Sequence, residues 1–338
     1  MTKGISLMLN KIFKKEVQDY KAKDLMTKHV ITLQSQDNLL IAQRMMSRFR
    51  IKKIVVVDDK NKKYPVGILT IKDIIKFLIS DKADRDLNEI AIFEAMTKKL
   101  ITTIKNEDVV DCAKILDKNN NISSLIVIEE EENSEQQEQQ QESSVNKKIS
   151  LSGIITSTDF TRFFSENCIG VASVKDYMSQ PVFTISINEK VSKAIQLMLE
   201  KNVSRLVVTA MVSSHSSSST LGILSETDIS GITPALKSRK LRWVYENMEL
   251  LFDSSKRNLD FIEPALVRIE DIFTPNPITI EKDADLAEAA KLMVKQGISG
   301  MPVIESSLVE GEEEGKMDKQ PVGMISKTDI VRALTDIK

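Results

Sequence analysis

The segment Gly67-Ile68-Leu69-Thr70-Ile71-Lys72-Asp73 indicates how the chain is organised, because its pattern occurs three more times. Each copy has a glycine, two apolar residues, a serine or threonine, two variable residues and an aspartate. The other copies are Gly153-Ile154-Ile155-Thr156-Ser157-Thr158-Asp159, Gly222-Ile223-Leu224-Ser225-Glu226-Thr227-Asp228 and Gly323-Met324-Ile325-Ser326-Lys327-Thr328-Asp329. A pattern that recurs along a chain indicates a repeated structural unit.

A second set of residues recurs upstream of each motif. In every copy a threonine is followed ten residues later by an alanine, and nine residues after that by an isoleucine or valine. The threonines are Thr32, Thr103, Thr184 and Thr279, and the alanines are Ala42, Ala113, Ala194 and Ala289. Apolar residues around the alanines recur with the period of a helix. We therefore expect an amphipathic helix in each copy, with the small alanine at a close helix contact.

Two strands complete the repeated unit. Each helix is followed by an apolar run, such as residues 54–57, which predicts a buried strand. The glycine motif supplies the next strand and opens another helix, so each unit reads strand, helix, strand, strand, helix. Between the two strands the length varies, and the inserted residues 129–142, 211–220 and 305–320 are polar. We expect these insertions to be disordered loops at the tips of hairpins.

Composition narrows the class of protein. The 338 residues are 41% hydrophobic and 28% charged with a net charge of -2, so no overall field favours nucleic acid or membrane. Two distant cysteines, Cys112 and Cys168, give neither a disulfide framework nor zinc-ligand spacing. No apolar run approaches the roughly 18 residues of a membrane span, and no signal peptide is present. The sequence predicts a soluble cytoplasmic protein.

Together these patterns resemble the cystathionine β-synthase domain, or CBS domain, in four copies. The resemblance is carried by residues 30–33 with their counterparts, by residues 297–304 and by the four glycine motifs. It implies an α/β (α+β) fold in which two CBS domains pair through their sheets into a Bateman module. Two modules would form a pseudo-symmetric disk, as in the gamma subunits of AMP-activated protein kinases. The implied CBS domains are residues 20–80, 90–168, 172–232 and 266–338, with a helical linker at 233–264.

The resemblance also implies adenosine ligands in the clefts between paired domains. The aspartates Asp73, Asp159, Asp228 and Asp329 would accept hydrogen bonds from ribose hydroxyls. The residues three positions earlier, Thr70, Thr156, Ser225 and Ser326, would hold a phosphate at the start of a helix. The strands that carry the four recurring threonines would contact the adenine edge. However, Ser/Thr-x-x-Asp is also a helix-capping signal, so capping and binding both remain open.

One further position ranks the clefts. Gamma subunits of this family have an arginine just before the leucine of the middle strand, where it reaches ligand phosphates. This chain has Lys53, Ser124, Arg205 and Gly300 there. The cleft with Arg205 and Asp228 therefore ranks first, and the cleft with Lys53 and Asp73 ranks second. The other two copies depart from the pattern.

The sequence predicts no enzyme, because it lacks phosphate-loop, dinucleotide-binding and zinc-hydrolase motifs, and it predicts neither a metal site nor a catalytic cofactor. The leading hypothesis is a sensor of an adenine nucleotide (AMP, ADP, ATP) or S-adenosylmethionine, which signals to an unknown effector protein as a monomeric disk or homodimer. One alternative is a ligand-independent interaction scaffold. Another is a nucleic-acid-associated transcriptional regulator that uses the basic residues at the start of the linker, 237–242, although such a cluster is more often a solvated helix face.

Overall fold

A computed structural model describes residues 17, 19–80, 85–119, 124–130, 149–209, 220–231, 268–308 and 317–337. The linker and most of the three polar insertions lie outside these residues, so the interpretations placed on them stay predictions. Among the described helices, none has the length and apolar character needed to cross a membrane.

Four repeats follow one another along the chain. The first contains α1 (Ala22–Leu25), β1 (Thr32–Gln34), α2 (Leu39–Phe49), β2 (Lys53–Val57), β3 (Pro65–Thr70) and α3 (Ile71–Ser80). The second contains α4 (Ile92–Ala95), β4 (Thr102–Ile104), α5 (Val109–Lys118), β5 (Ser124–Glu130), β6 (Ile149–Thr156) and α6 (Ser157–Asn167). The third contains α7 (Val174–Tyr177), β7 (Thr184–Ser186), α8 (Val191–Lys201), β8 (Arg205–Thr209), β9 (Thr220–Ser225) and α9 (Glu226–Gly231). The fourth contains a 3-10 helix (Ile269–Asp271), β10 (Thr274–Pro275), β11 (Ile280–Glu281), α10 (Leu286–Gln296), β12 (Gly300–Leu308), β13 (Met317–Ser326) and α11 (Lys327–Thr335).

The order strand, helix, strand, strand, helix is confirmed in all four repeats. Each repeat builds a sheet whose middle strand pairs in parallel with the first strand and antiparallel with the third. The apolar runs form the middle strands and are buried as expected. The four recurring alanines have no exposed surface, because the helices that carry them, α2, α5, α8 and α10, pack that face into the core. The sequence pattern therefore predicted the repeated unit in which the candidate site residues lie.

The repeats exchange short arms in pairs, which the sequence did not indicate. Thr27, which follows α1, forms a β-bridge with Ile154 of the second repeat, while Thr97 after α4 forms a bridge with Ile68 of the first. In the other pair the arm with α7 bonds to β13, and β10 pairs with β9. Each arm therefore completes the neighbouring repeat. The domain boundaries expected from the sequence place the two partners of each exchanged contact in different domains.

This exchange explains the glycine that opens each motif. A Cβ atom at Gly222 would lie 2.5 Å from the carbonyl oxygen of Thr274, on the arm beside β9. At Gly67 a Cβ would lie 2.5 Å from Met96 Sδ, and the other two motif glycines face Met26 and Met178 in the same way. Real Cβ atoms do not come so close to other heavy atoms, so the motif needs glycine for close approach of the partner arm.

One expectation is wrong at its edges. Residues 305–320 were expected to be a loop, but residues 305–308 extend β12 and residues 317–320 extend β13. Glu305 pairs with Gln320, and Leu308 pairs with Met317. Residues 129–130 likewise belong to β5, and Thr220 belongs to β9. Backbone pairing along an established hairpin overrides the weak strand propensity of these polar residues.

The two pairs of repeats form two modules that share part of their core. Within the first module the sheets pack through Val55, Ile126 and Ile154. Between the modules, helices of the second and fourth repeats contribute to one continuous apolar cluster, in which Phe160 and Phe164 of α6 are fully buried. The first and third repeats have separate clusters and meet where α3 contacts α9. The junction between modules is therefore much more apolar on one side than on the other.

Candidate functional site

All four motifs form the same helix cap. The aspartate Oδ2 accepts a hydrogen bond from the backbone N–H of the serine or threonine three residues earlier, at 2.7 to 2.8 Å. The same oxygen accepts the hydroxyl of that residue at 2.6 to 2.7 Å. These contacts satisfy donors at the start of the last helix in each repeat. The capping interpretation of the motif therefore holds in every copy.

The second carboxylate oxygen distinguishes the copies. Asp329 Oδ1 accepts from Arg332 at 2.9 Å and from the Ser179 hydroxyl at 3.3 Å. In the second repeat Arg162 lies 3.4 Å from Asp159 Oδ1, and in the first repeat Thr97 donates to Asp73 Oδ1 at 3.3 Å. By contrast, Asp228 Oδ1 accepts no hydrogen bond from the described part of the chain. The third repeat thus keeps a carboxylate oxygen available to a ligand.

Burial separates the copies in the same way. Asp159 and Asp329 are buried, at 8% and 4% exposure, whereas Asp73 and Asp228 are only half-buried. Burial raises the pKa of Asp329, although Ser326 and Arg332 oppose this effect. Ligand hydroxyls reach a half-buried carboxylate more readily than a buried one that already binds an arginine. Geometry therefore favours the first and third repeats.

Arg205 crosses from the third repeat to the fourth. Its guanidinium donates to Ser204 Oγ at 3.1 Å and to Ser299 Oγ. Gly300 makes room for it, since a Cβ there would lie 3.2 Å from the guanidinium carbon. Burial lowers the pKa of Arg205, while Glu226, Asp329 and Asp228 favour its charged form. Gly300 departs from the family pattern, and its lack of a side chain allows Arg205 to lie there.

Lys53 occupies the equivalent position in the first module. Burial lowers its pKa to about 7, and Asp159 of the second repeat opposes that shift. Ser124, the corresponding residue of the second repeat, is small and buried. Each module therefore has one cation and one small residue at this position.

Three further polar residues near Arg205 were not found by the sequence analysis. Lys52 Nζ donates to Ser299 Oγ at 3.2 Å, and Lys327 Nζ donates to Thr158 Oγ1 of the second repeat at 3.0 Å. Burial, together with the charges of Lys52 and Arg205, lowers the pKa of Lys327 to about 8. Lys52 and Lys327 each occur in one copy only, whereas the serine equivalent to Ser299 recurs as Ser123 and Ser204. A comparison of the copies at those positions would have found them.

The four recurring threonines lie at the first strands, where the adenine edge was expected. Thr32, Thr103 and Thr184 lie in β1, β4 and β7, while Thr279 lies one residue before β11. Thr103 is buried and its hydroxyl lies 3.5 Å from Cys112 Sγ. Thr184 is exposed and pairs with Val207 of β8. Among the four recurring threonines, the one in the third repeat is therefore accessible to solvent.

A surface groove and a cluster of carboxylates are two other candidate binding sites. A shallow groove lies between the first and third repeats, lined by Lys72, Lys76, Ile195, Met198, Leu199, Glu226 and Ile229. None of the expected site residues lines it. Elsewhere, carboxylate oxygens of Glu107, Asp108 and Asp111 lie within 4.8 Å of one another. Because Lys21 binds Asp108 at 2.6 Å and Lys114 binds Asp111 at 2.8 Å, ammonium groups already balance this charge.

Comparison with known families agrees with this architecture. The family model of the CBS domain matches residues 22–80, 174–232 and 269–336, which together make up more than half of the chain. The chain belongs to the CBS domain family. The matched segments are the first, third and fourth repeats, and the second repeat has the same order of strands and helices.

Relatives of this CBS protein occur in archaea. Protein MJ1404 of Methanocaldococcus jannaschii is 23% identical over 319 residues, which cover 94% of this chain and 62% of that protein. Protein MJ1225 of the same organism is 23% identical over 293 residues, covering 83% of this chain and 90% of that protein. This chain therefore spans less than two thirds of MJ1404 but most of MJ1225.

Two solved structures show the same CBS fold. The crystal structure of MJ1225, proposed as an archaeal homologue of g-AMPK, has a TM-score of 0.64 at 21% identity and covers 93% of this chain and 99% of that chain. A conserved protein from Pyrococcus horikoshii has a TM-score of 0.54 at 18% identity, covering 93% of this chain and 100% of that chain. The likeness extends over both modules.

Proposed function

We propose that this CBS protein is a regulatory adenine-nucleotide-binding protein whose main site lies in the third repeat. The observation that carries the proposal is the juxtaposition of Arg205 with Asp228. Arg205 pairs with Ser225 across β8 and β9, and Ser225 bonds to Asp228. A guanidinium that can bind phosphate therefore lies near a carboxylate oxygen that can accept a ribose hydroxyl. The first repeat, with Lys53 and Asp73, is the second site.

The proposal includes the consequence of binding. The ligand would favour one arrangement of the two modules, and an effector protein would recognise that arrangement. Support for this step is architectural, because Ser299 accepts a hydrogen bond from Arg205 of its own module and another from Lys52 of the other module. The protein acts by binding in this proposal, and the motif aspartates are not assigned as catalytic groups.

A thermal-shift panel with AMP, ADP, ATP, S-adenosylmethionine and NAD tests the proposal. A ligand at 100 times its dissociation constant adds about 2.7 kcal/mol of stability, which is easily measured. We expect at least one adenine nucleotide to raise the melting temperature, and Asp228→Ala and Arg205→Ala each to abolish that rise.

Asp159→Ala is the matched control, because it removes the same cap from a repeat whose carboxylate already binds Arg162. It should lower the melting temperature of the free protein, while the ligand-induced rise remains. The scaffold hypothesis is the second candidate, and the complete caps in all four motifs favour it. If no nucleotide shifts the melting temperature at millimolar concentration, the sensor proposal fails and the scaffold hypothesis stands.

A further inference from the structure

Cations from three repeats converge beside the serine that precedes β12. Lys52 of the first repeat and Arg205 of the third both donate to the hydroxyl of Ser299. Lys327, at the start of α11 in the fourth repeat, is close enough for both of their charges to disfavour its protonated form. Ser299 belongs to the second module and Lys52 to the first. This group of side chains therefore spans the junction between modules.

Nearby carboxylates, among them Asp159 beside Lys327, favour the charged forms of these cations without pairing with them directly. Among the described residues, no carboxylate forms a salt bridge with Lys52, Arg205 or Lys327. Glu226 attracts Lys52 and Arg205 at longer range, but its nearest cation is Lys72, at 3.8 Å. The nearby Asp228 and Asp329 each use one oxygen in a helix cap, and Asp329 also binds Arg332.

Convergent like charges cost free energy unless an opposite charge offsets the repulsion. A bound anion with several negative charges supplies that offset. Simple structural ion pairing does not account for the arrangement, since the paired cations of this protein, such as Lys21 with Asp108, have their carboxylate within 4 Å.

The three cations differ in how far water reaches them. The Lys52 side chain is exposed to solvent, yet burial by surrounding protein is the main cause that lowers its pKa. Arg205 is half-buried and Lys327 is 8% exposed. Partial burial lowers the effective dielectric constant around these cations. Charge-assisted hydrogen bonds are stronger in such a place than on an open face.

We propose that Lys52, Arg205 and Lys327 bind the terminal phosphates of a nucleoside triphosphate, which thereby bridges the two modules. This inference rests on the proposed function, because the nucleoside is anchored at Asp228 of the third repeat. A monophosphate bound there meets Arg205, the cation nearest to Ser225 in the sheet. A longer phosphate chain brings further negative charge to the lysines of the first and fourth repeats. The site therefore prefers triphosphate to monophosphate.

Calorimetric titration of the full chain with ATP, AMP and inorganic tripolyphosphate tests this inference. We expect wild-type protein to bind ATP at least about tenfold more tightly than AMP, as one added charge-assisted hydrogen bond provides. Lys52→Gln should weaken binding of ATP and tripolyphosphate by about tenfold and leave AMP affinity within about twofold. Lys52→Arg should restore ATP binding.

Lys193→Gln on the exposed face of α8 is the control, because it removes one positive charge outside the group of three cations. Equal loss of ATP and AMP binding in Lys52→Gln, or an unchanged ATP-to-AMP ratio, overturns the triphosphate assignment and leaves nucleotide binding in place. Tripolyphosphate binding without binding of any nucleotide overturns both the triphosphate assignment and the proposed function. Because Lys52 is exposed, its replacement leaves the core intact, and a melting curve checks this.

Discussion

At the scale of single residues, the buried lysines make ligand binding depend on protons. Burial lowers the pKa of Lys53 to about 7 and that of Lys327 to about 8, so both are partly neutral at pH 8. A bound phosphate favours the charged form of each lysine and raises its pKa. We expect nucleotide binding at pH 8 to be accompanied by proton uptake. Lys327 alone should bind on the order of half a proton.

Titration calorimetry at pH 8 in two buffers of different ionisation enthalpy measures this uptake. The apparent binding enthalpy should differ between the buffers in the sense of proton uptake, and the difference should shrink in Lys327→Gln. At pH 6 both lysines are already charged, so their contribution disappears. Equal enthalpies in both buffers at pH 8 would show that the phosphates do not approach these lysines.

The site was predictable from the sequence only where it recurs. Asp228 and Ser225 repeat in register with three other copies, so their position followed from the motif. Lys52 and Lys327 are lysines in one copy only, so no periodic signal marks them, and the recurring serine at Ser299 gives no sign of its partners. Their convergence also depends on how the modules meet, which is set by contacts between residues hundreds of positions apart, such as Lys52 with Ser299. A short-range sequence pattern does not predict a contact between residues so far apart in the chain.

At the scale of elements, the exchanged arms determine how much each motif glycine matters. A Cβ at Gly222 would meet backbone, at 2.5 Å from the Thr274 oxygen, whereas at Gly67 its nearest neighbour is the flexible end of Met96. Gly222→Ala should therefore lower the free energy of unfolding by about 1–3 kcal/mol, and more than Gly67→Ala does. Urea denaturation of both variants measures the order. A larger loss in Gly67→Ala would mean that the arms do not contact the sheets in this way.

The strands and helices within each repeat could be read from the sequence, but the arms could not. A strand such as β2 has a continuous apolar run, and α10 has an apolar face with helical period, so local signals suffice. The arm residues 273–275 carry no such period, and their partner is β9, about 50 residues earlier by the numbering of the two strands. Antiparallel pairing extended β12 and β13 into polar sequence for the same reason: the partner strand, not local propensity, decided the structure.

At the scale of the whole molecule, the junction between modules is asymmetric, and this asymmetry should govern which parts loosen together. The second and fourth repeats share one apolar core, whereas the first and third keep separate cores and meet through α3, α9 and the exposed ion pair of Lys72 with Glu226. An exposed pair of this kind contributes at most about 1 kcal/mol. A defect in the shared core should therefore spread across the junction, and a defect in a separate core should not.

Phe164→Ala and Leu39→Ala form a matched test, since both side chains are fully buried and both truncations cost several kcal/mol, about 2–5. Phe164 lies in the shared core of the second and fourth repeats, and Leu39 lies in the separate core of the first. Hydrogen exchange followed by mass spectrometry reports local opening in each segment. We expect Phe164→Ala to speed exchange in α10 of the fourth repeat, and Leu39→Ala to leave α8 of the third repeat unchanged. If Leu39→Ala speeds exchange in α8 as strongly as Phe164→Ala does in α10, both sides of the junction are coupled equally. A ligand at the cation group would then have no weakly coupled side of the junction to stabilise.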